Sequence, residues 1–349
     1  MIATKAYAAF DEETPLAPFN LDRREVGEHD VQIEINYCGV CHSDLHQVKN
    51  EWGGTMYPIV PGHEIVGKVT KVGSKVTKFK EGDLAGVGCF VDSCRTCPSC
   101  QEGLEQYCEV HNVGTYNSYE LDKKTITYGG YSSQIVVDEN YTLKVPANLD
   151  LARTAPLLCA GITTYSPIMQ WKIGEGHRVG IVGLGGLGHM AVKIAAAKGA
   201  NVTVLSTSPG KEQDAKELGA HNFAVTRDPE QLKSLRNSFD FIIDTVSAPH
   251  DYNLYLSMLK CDGTMILLGA PSEPSPMAGF SLIPKRRRIA GSMIGGIQET
   301  QEMLDFCAEH NIMSDIELIS IKEINTAYDR MLQSDVKYRF VIDMATLND

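Results

Sequence analysis

Four cysteines fall within fifteen residues of this chain, in the pattern C-x2-C-x2-C-x7-C formed by Cys94, Cys97, Cys100 and Cys108. Bacterial iron–sulfur runs with similar early spacing close with a three-residue gap and a proline after the last cysteine. Here the last gap is seven residues and Glu109 follows Cys108. Zinc held by four thiolates keeps no coordination position for a substrate. The pattern therefore predicts a lobe built around a structural zinc, with the chemistry elsewhere.

Length and charge limit the remaining possibilities. A chain of 349 residues predicts two domains, and a hydrophobic fraction of 43% is ample for buried cores. The formal charge of −12 argues against nucleic acid or an anionic membrane as partner, because phosphates are repelled. The sequence shows neither a signal peptide nor an apolar run long enough to cross a bilayer. We therefore expect a cytoplasmic protein whose ten cysteines meet a reducing environment.

The texture of the sequence changes along the chain. Residues 1–150 contain short alternating runs such as Val31–Ile35 and Ile65–Gly73, which predict the strands of a compact barrel. From about residue 175 apolar strands alternate with helices, which predicts a doubly wound parallel sheet. After Gly295 the alternation of strands and helices ends, and we expect this last segment to rejoin the first domain. The predicted domains are 1–153 with 292–349, and 154–291.

A glycine loop follows the predicted strand Arg178–Val182 and opens an alanine-rich helix. That context is typical of a dinucleotide fingerprint, in which glycines let the backbone approach a pyrophosphate at the helix N-terminus. The loop comprises Gly183, Leu184, Gly185, Gly186, Leu187 and Gly188.

The end of the next predicted strand, Asn201–Leu205, indicates which dinucleotide is used. NAD-binding chains place an acidic residue there for the ribose hydroxyls. This chain has Ser206, Thr207, Ser208 and Lys211, with no carboxylate before Glu212. Hydroxyls and a cation suit a 2′-phosphate, so the pattern favours NADP(H) over an ordinary polar turn.

Three further metal-ligating residues are widely separated. They are Cys41 in Cys41-His42-Ser43-Asp44, His63 in Pro61-Gly62-His63-Glu64, and Cys159 in Leu158-Cys159-Ala160-Gly161. The gaps of 22 and 96 residues do not form a local finger, and periodicity does not link the three. Taken singly, Cys159 fits a buried small hydrophobe and His63 a polar turn residue.

Together these motifs resemble the zinc-dependent medium-chain alcohol dehydrogenases. Within that family the chain is most similar to the cinnamyl alcohol dehydrogenase group, which includes broad-specificity bacterial NADP-dependent aldehyde reductases. The resemblance runs essentially from end to end. It implies an α/β fold with a GroES-like β-barrel catalytic domain, carrying both zinc sites, and a Rossmann domain that binds NADP. It also implies a homodimer.

The resemblance assigns roles to individual residues. It implies that Cys41, His63 and Cys159 hold a catalytic zinc, with Glu64 as either a transient ligand or a nearby salt-bridge partner. Asp44 is expected to accept a hydrogen bond from His63, as carboxylates beside metal-bound histidines do. Ser43 and His46 are expected to carry the proton to and from solvent.

The same match extends the site. Further cofactor contacts are implied at Thr163, Thr245, Gly269, Ser292, Met293 and Ile294. Walls of the substrate pocket are expected at Trp52, Cys89, Met293 and Ile294, although each also fits ordinary core packing.

The expected activity is zinc-dependent hydride transfer between NADPH and aldehydes, reversible with primary alcohols and NADP⁺. An NAD-dependent polyol dehydrogenase of the same fold predicts an acidic residue at position 206, where this chain has serine. A non-enzymatic zinc-binding interaction protein explains the four clustered cysteines but leaves Cys41, His63, Cys159 and the glycine loop without a role.

Overall fold

The chain forms two units in a computed structural model, which describes residues 1–269, 271 and 273–348. The first unit comprises Met1–Ile162 and Gly295–Asp349, and the second comprises Thr163–Ile294. The exact domain bounds given above remain a prediction.

The secondary structure follows in chain order. The strands are β1 (Ile2–Ala8), β2 (Ala17–Arg23), β3 (Asp30–Gly39), β4 (Ile65–Val72), β5 (Leu84–Val87), β6 (Phe90–Asp92), β7 (Val113–Gly114), β8 (Gln134–Asp138), β9 (Leu143–Lys144), β10 (Arg178–Val182), β11 (Asn201–Ser206), β12 (Asn222–Val225), β13 (Phe239–Asp244), β14 (Leu259–Leu267), β15 (Arg288–Gly291), β16 (Ile316–Ser320) and β17 (Arg339–Asp343). The α-helices are α1 (His42–Val48), α2 (Pro98–Gln101), α3 (Leu151–Thr154), α4 (Ala160–Gln170), α5 (Gly188–Ala197), α6 (Glu212–Glu217), α7 (Pro229–Ser234), α8 (Tyr252–Met258), α9 (Ile297–Glu309) and α10 (Ile324–Leu332). Short 3₁₀ helices cover Glu105–Tyr107, Glu139–Tyr141, Ala155–Leu158, Pro209–Lys211, Gly279–Ser281, Ile283–Lys285, Ile321–Glu323 and Met344–Asn348.

A mostly antiparallel sheet organises the first unit. Its strand order is β16-β17-β3-β4-β5-β9, and β8 also pairs with β3. The alternation read from the sequence is visible in β3, where Val31, Ile33 and Ile35 are buried. The C-terminal strand β17 pairs antiparallel with β3, with Ile342 opposite Cys38. The last part of the chain thus completes the sheet begun by the first part.

The four-cysteine segment packs against the start of α9 within the same unit. A Cβ atom on Gly296 would lie 1.8 Å from the carbonyl oxygen of Gly103, so only glycine fits there. The Glu105 carboxylate accepts a hydrogen bond of 3.1 Å from the backbone N–H of Ile297. These contacts tie the lobe to the helix that follows the second unit in sequence.

A six-stranded parallel sheet forms the second unit, in the order β12-β11-β10-β13-β14-β15. Its core includes Val182, Leu205, Phe239, Ile242 and Met265, which are all buried. Parallel strands covered on both faces read as continuous apolar runs, which explains why β10 and β13 have the predicted bounds.

Strand β14 differs from its prediction. The sequence predicted Thr264–Gly269, whereas the strand begins at Leu259 and ends at Leu267. Asp262 has a φ of +64°, and the register with β13 shifts between Phe239 and Phe241. Polar residues in this irregular stretch, such as Lys260 and Asp262, interrupt the apolar pattern on which the prediction rested.

Within the described residues, we find no helix with the length and apolarity to cross a membrane.

Candidate active site and metal centres

Three strand ends meet where the widely separated ligands come together. β3 ends at Gly39, β4 starts at Ile65, and β17 starts at Arg339. Both neighbours run antiparallel to β3, so their N-terminal ends lie at its C-terminal end, with Ile65 opposite Cys38 and Val341 opposite Gly39. The Gly39 N–H donates to the Glu64 carbonyl at 2.9 Å. The sheet thus brings the segments around Cys41 and His63 together.

Four buried side chains form the resulting cluster: Cys41, His63, Glu64 and Cys159. One ligand atom from each lies within 4.8 Å of all the others. The two sulfur atoms are 3.9 Å apart. Thiolates bound at ~2.3 Å to a tetrahedral zinc are separated by about 3.8 Å, so the donors fit this ion. The sequence could not establish this convergence from spacing, but the fold produces it.

Asp44 joins the helix start to the histidine. It is the third residue of α1, and its Oδ2 accepts the backbone N–H of Cys41 at 2.9 Å. Its Oδ1 accepts the Gly62 N–H at 3.0 Å and His63 Nδ1 at 3.1 Å. This leaves His63 Nε2 as the nitrogen that can bind a metal. The hydrogen bond expected between Asp44 and His63 is therefore present.

Glu64 is paired with Arg339, a residue that the sequence reading missed. Both side chains are almost fully buried, at 0% and 6% exposure, and the Arg339 guanidinium donates to Glu64 Oε1. Among the residues that the structure describes, Glu64 Oε2 and Arg339 Nε have no hydrogen-bond partner. A Cβ atom on Gly39 would lie 1.9 Å from Glu64 Oε2, so glycine leaves room for the carboxylate. A lone arginine opening the apolar run Phe340–Ile342 was the available signal.

Protons and a metal cation compete for the ligand atoms of the cluster. Burial raises the pKa of Glu64 to about 8, against the opposing charge of Arg339. A hydrogen bond with Cys159 lowers the pKa of Cys41 well below its usual value, and the same bond raises that of Cys159. The raised pKa values of Glu64 and Cys159 mean that both groups hold their protons more tightly than the free side chains do. Metal binding displaces such protons, so affinity for the metal rises with pH.

The residues expected to move protons lie on α1. Ser43 Oγ is 3.6 Å from Cys41 Sγ, which places the hydroxyl at the cluster. His46 pairs through Nδ1 with Glu51, and its ring centroid is 5.0 Å from that of the exposed Trp52. Glu51 was not predicted as a partner of His46, although its spacing of five residues was available in the sequence.

Cys89, one of the expected pocket walls, lies beside the ligand Cys159. Its Sγ is 3.7 Å from the carbonyl oxygen of Leu158, the residue before Cys159. A hydrogen bond with Cys159 lowers the pKa of the Cys89 thiol, against the effect of its burial.

The four clustered cysteines converge as well. Cys94 Sγ lies 3.9 Å from Cys100 Sγ, and Cys97 Sγ lies 4.0 Å from Cys108 Sγ. These separations again match a tetrahedral thiolate site. Backbone N–H groups point at three of the sulfurs, with distances from 3.3 to 3.5 Å to Cys94, Cys97 and Cys108.

The fourth sulfur has a different partner. Ser93 Oγ lies 3.1 Å from Cys100 Sγ and 2.7 Å from the hydroxyl of Tyr141. Burial raises the pKa of Cys100 to about 12, whereas backbone hydrogen bonds lower that of Cys94 to about 6. The thiol of Cys94 therefore ionises easily, whereas the thiol of Cys100 keeps its proton until a divalent cation displaces it.

In the second unit, the glycine loop has the geometry of a pyrophosphate cradle. Gly183 has a φ of +87°, which glycine adopts readily. A Cβ on Gly188 would lie 2.2 Å from the Gly183 carbonyl oxygen, so the helix start packs tightly on the strand end. A Cβ on Gly185 would meet nothing within 4 Å, which leaves the backbone open to a ligand. These residues fit the predicted dinucleotide.

The predicted phosphate residues lie at the end of β11. Ser206 is buried, and its Oγ accepts the Ser208 N–H at 3.2 Å, while Thr207 and Ser208 are exposed. Lys211 Nζ donates to the carbonyl of Leu184 at 3.0 Å, which holds this cation against the glycine loop. A positive charge and two exposed hydroxyl groups therefore flank the loop.

The other expected cofactor residues are distributed along the second unit. Thr245 Oγ1 donates to the carbonyl of Val182 at 2.7 Å, next to the glycine loop. Gly269 lies against the backbone of Val246. Thr163 is buried in α4, and Ser292, Met293 and Ile294 follow β15, with Met293 exposed.

Comparison with known proteins agrees with this geometry. The family model for the alcohol dehydrogenase GroES-like domain matches residues 27–147, and that for the zinc-binding dehydrogenase matches residues 186–309. Aldehyde reductase YahK of Escherichia coli (strain K12) is 58% identical over 348 residues, which are 99% of each chain. The chain belongs to the zinc-binding alcohol dehydrogenase family.

Solved structures resemble this alcohol dehydrogenase over nearly its whole length. The cinnamyl alcohol dehydrogenase of Sorghum bicolor is 48% identical with a TM-score of 0.95, over 98% of each chain. The Helicobacter pylori enzyme CAD, solved in complex with NADP(H), is 44% identical with a TM-score of 0.93, over 99% of each chain. The predicted family, fold class and enzymatic nature are confirmed.

Proposed function

We propose that this alcohol dehydrogenase reduces aldehydes with NADPH and, in reverse, oxidises primary alcohols with NADP⁺. The observation that carries the proposal is the buried cluster of Cys41, His63, Glu64 and Cys159, separate from the closed four-cysteine lobe. The relative from Escherichia coli is named an aldehyde reductase, and a relative from Mycolicibacterium smegmatis is named an NADP-dependent alcohol dehydrogenase. Both names describe the proposed reaction class.

Two zinc ions per chain are part of the proposal. Cys94, Cys97, Cys100 and Cys108 hold the structural ion. Cys41, His63 and Cys159 hold the catalytic ion, and Glu64 is close enough to replace a departing ligand. Zinc at this second site supplies Lewis-acid polarisation of a carbonyl group.

The protein's own groups orient the ligands and move the proton. Asp44 fixes the tautomer of His63 through Nδ1 and holds the Cys41 backbone. The Ser43 hydroxyl, beside Cys41 Sγ, is placed to give a proton to the product oxygen. His46 then takes up a proton from solvent and replaces the one that Ser43 gave, with Glu51 fixing its ring.

NADPH supplies the hydride, and we assign its recognition to β11 and the glycine loop. No carboxylate stands at the end of β11 to repel a 2′-phosphate. The hydroxyls of Thr207 and Ser208 and the ammonium of Lys211 offer hydrogen bonds and a positive charge instead. We further propose, from the resemblance, a cytoplasmic homodimer.

The proposal is tested by comparing NADPH and NADH in the reduction of a panel of aromatic and aliphatic aldehydes. A clear preference for NADPH is expected, and Ser206→Asp should shift the preference towards NADH. Ser234→Asp adds the same charge at the exposed end of α7 and serves as the control. An unchanged NADPH preference in Ser206→Asp would refute the phosphate-site assignment, and failure to reduce any aldehyde would refute the activity.

A further inference from the structure

An aromatic ring lies on the face of the histidine ligand. The ring centroids of Tyr116 and His63 are 5.8 Å apart, and their planes differ by 28°, so the rings are stacked. Neither the motifs nor the resemblance pointed to Tyr116. His63 itself is buried, so its imidazole cannot be held by water.

The bond to Asp44 does not by itself fix the imidazole. A single hydrogen bond at Nδ1 restrains the ring along the 3.1 Å line between Nδ1 and Oδ1. The ring can still tilt about that line, and tilting moves Nε2, the nitrogen left for the metal. The ring of Tyr116, stacked on the face of the imidazole, opposes this motion, because tilting would break the stacked contact or press the two rings together.

Tyr116 is held from both sides in sequence. Thr115 Oγ1 donates to the carbonyl of Gly88 at 2.6 Å. Asn117 Nδ2 donates to Gln47 Oε1 at 2.6 Å. The two residues flanking Tyr116 are thus anchored to different parts of the first unit. Such anchoring lets a loop residue hold a ring in place instead of merely filling space.

We propose that Tyr116 is a positioning residue that holds the imidazole of His63 in its metal-binding orientation, through its ring. Asp44 and Tyr116 divide the task, since the carboxylate fixes the tautomer and the ring prevents tilting. This inference rests on the proposed function, in that it assumes a metal at Cys41, His63 and Cys159.

The test measures metal affinity in the full-length chain. Wild type, Tyr116→Leu and Tyr116→Phe are stripped of the catalytic metal, and cobalt(II) is titrated in competition with a chelator while its visible spectrum is recorded. Residues that orient metal-bound histidines typically contribute about 10–100-fold to affinity. We expect a loss of that size in Tyr116→Leu together with an altered cobalt spectrum, and a loss of less than about 3-fold in Tyr116→Phe, which keeps the ring.

Tyr119→Leu is the matched control, because this nearby ring is 40% exposed and the substitution is the same. Retention of the structural zinc by each variant shows that the fold is intact. Wild-type affinity and spectrum in Tyr116→Leu would overturn the inference, as would equal losses in the Leu and Phe variants. If the wild type itself binds no second metal, the proposed function fails instead.

Discussion

Removing Arg339 tests the electrostatic balance of the ligand cluster. In Arg339→Met, the buried Glu64 carboxylate loses its guanidinium partner, and within the described part of the chain its Oε2 has no hydrogen-bond partner. Breaking a buried pair by deleting one member costs about 3–5 kcal/mol, because the carboxyl group left behind must stay charged without a partner or bind a proton that it does not bind in the unfolded chain. We expect the free energy of unfolding of the first unit to fall by that amount. Removing an exposed partner typically costs about 0–1 kcal/mol.

Arg286→Met is the matched control, since Arg286 and its partner Asp262 are 78% and 47% exposed. Native-state hydrogen exchange measures the free energy of opening in peptides from β3 and β17 for Arg339→Met, and in peptides from β14 and β15 for the control. Adding Glu64→Gln to Arg339→Met removes the unpaired ionisable group and should recover most of the loss. The reasoning is refuted if Arg339→Met costs no more than Arg286→Met, or if the second substitution recovers nothing.

Two further predictions concern other parts of the chain. Ser93→Ala removes the hydroxyl that contacts both Cys100 Sγ and the buried Tyr141 hydroxyl. A chelator should therefore extract the structural zinc about 10–100-fold faster, as measured by a colorimetric zinc assay. Extraction at the wild-type rate would contradict this. Burial lowers the pKa of His250, but its bonds to Asp244 and to a backbone carbonyl outweigh this and raise it above the usual value. Stabilisation by the His250–Asp244 bond is therefore fully present below about pH 6.5 and is lost as pH rises through the higher folded-state pKa of His250. The melting temperatures of wild type and His250→Gln should converge as pH rises. A difference that stays constant with pH would contradict this.

The sequence predicted the second unit more completely than the first. The strands β10 and β13 are short apolar runs between clear turns, so their bounds agree with the structure. The cofactor loop was found because its glycines are consecutive and because its context, a strand followed by a helix, is local. β14 was partly missed because its first residues are irregular and polar.

Long-range partners were harder to predict. Cys41 and Cys159 are adjacent in space because of sheet pairing and chain reversal, which no local pattern encodes, so only the family resemblance linked them. Arg339 and Tyr116 were missed for the same reason. Each lies far along the chain from the residue it contacts, and neither belongs to a motif.

The most direct test of a catalytic zinc, separate from the structural one, uses Cys41→Ala. Zinc per chain and NADPH-dependent aldehyde reduction are measured on the same samples of wild type and variant. About two zinc ions are predicted in the wild type and about one in the variant, since three ligands are needed at a catalytic site. The variant is also predicted to have lost turnover. Full turnover with one zinc, or two zinc ions retained in Cys41→Ala, would contradict the assignment.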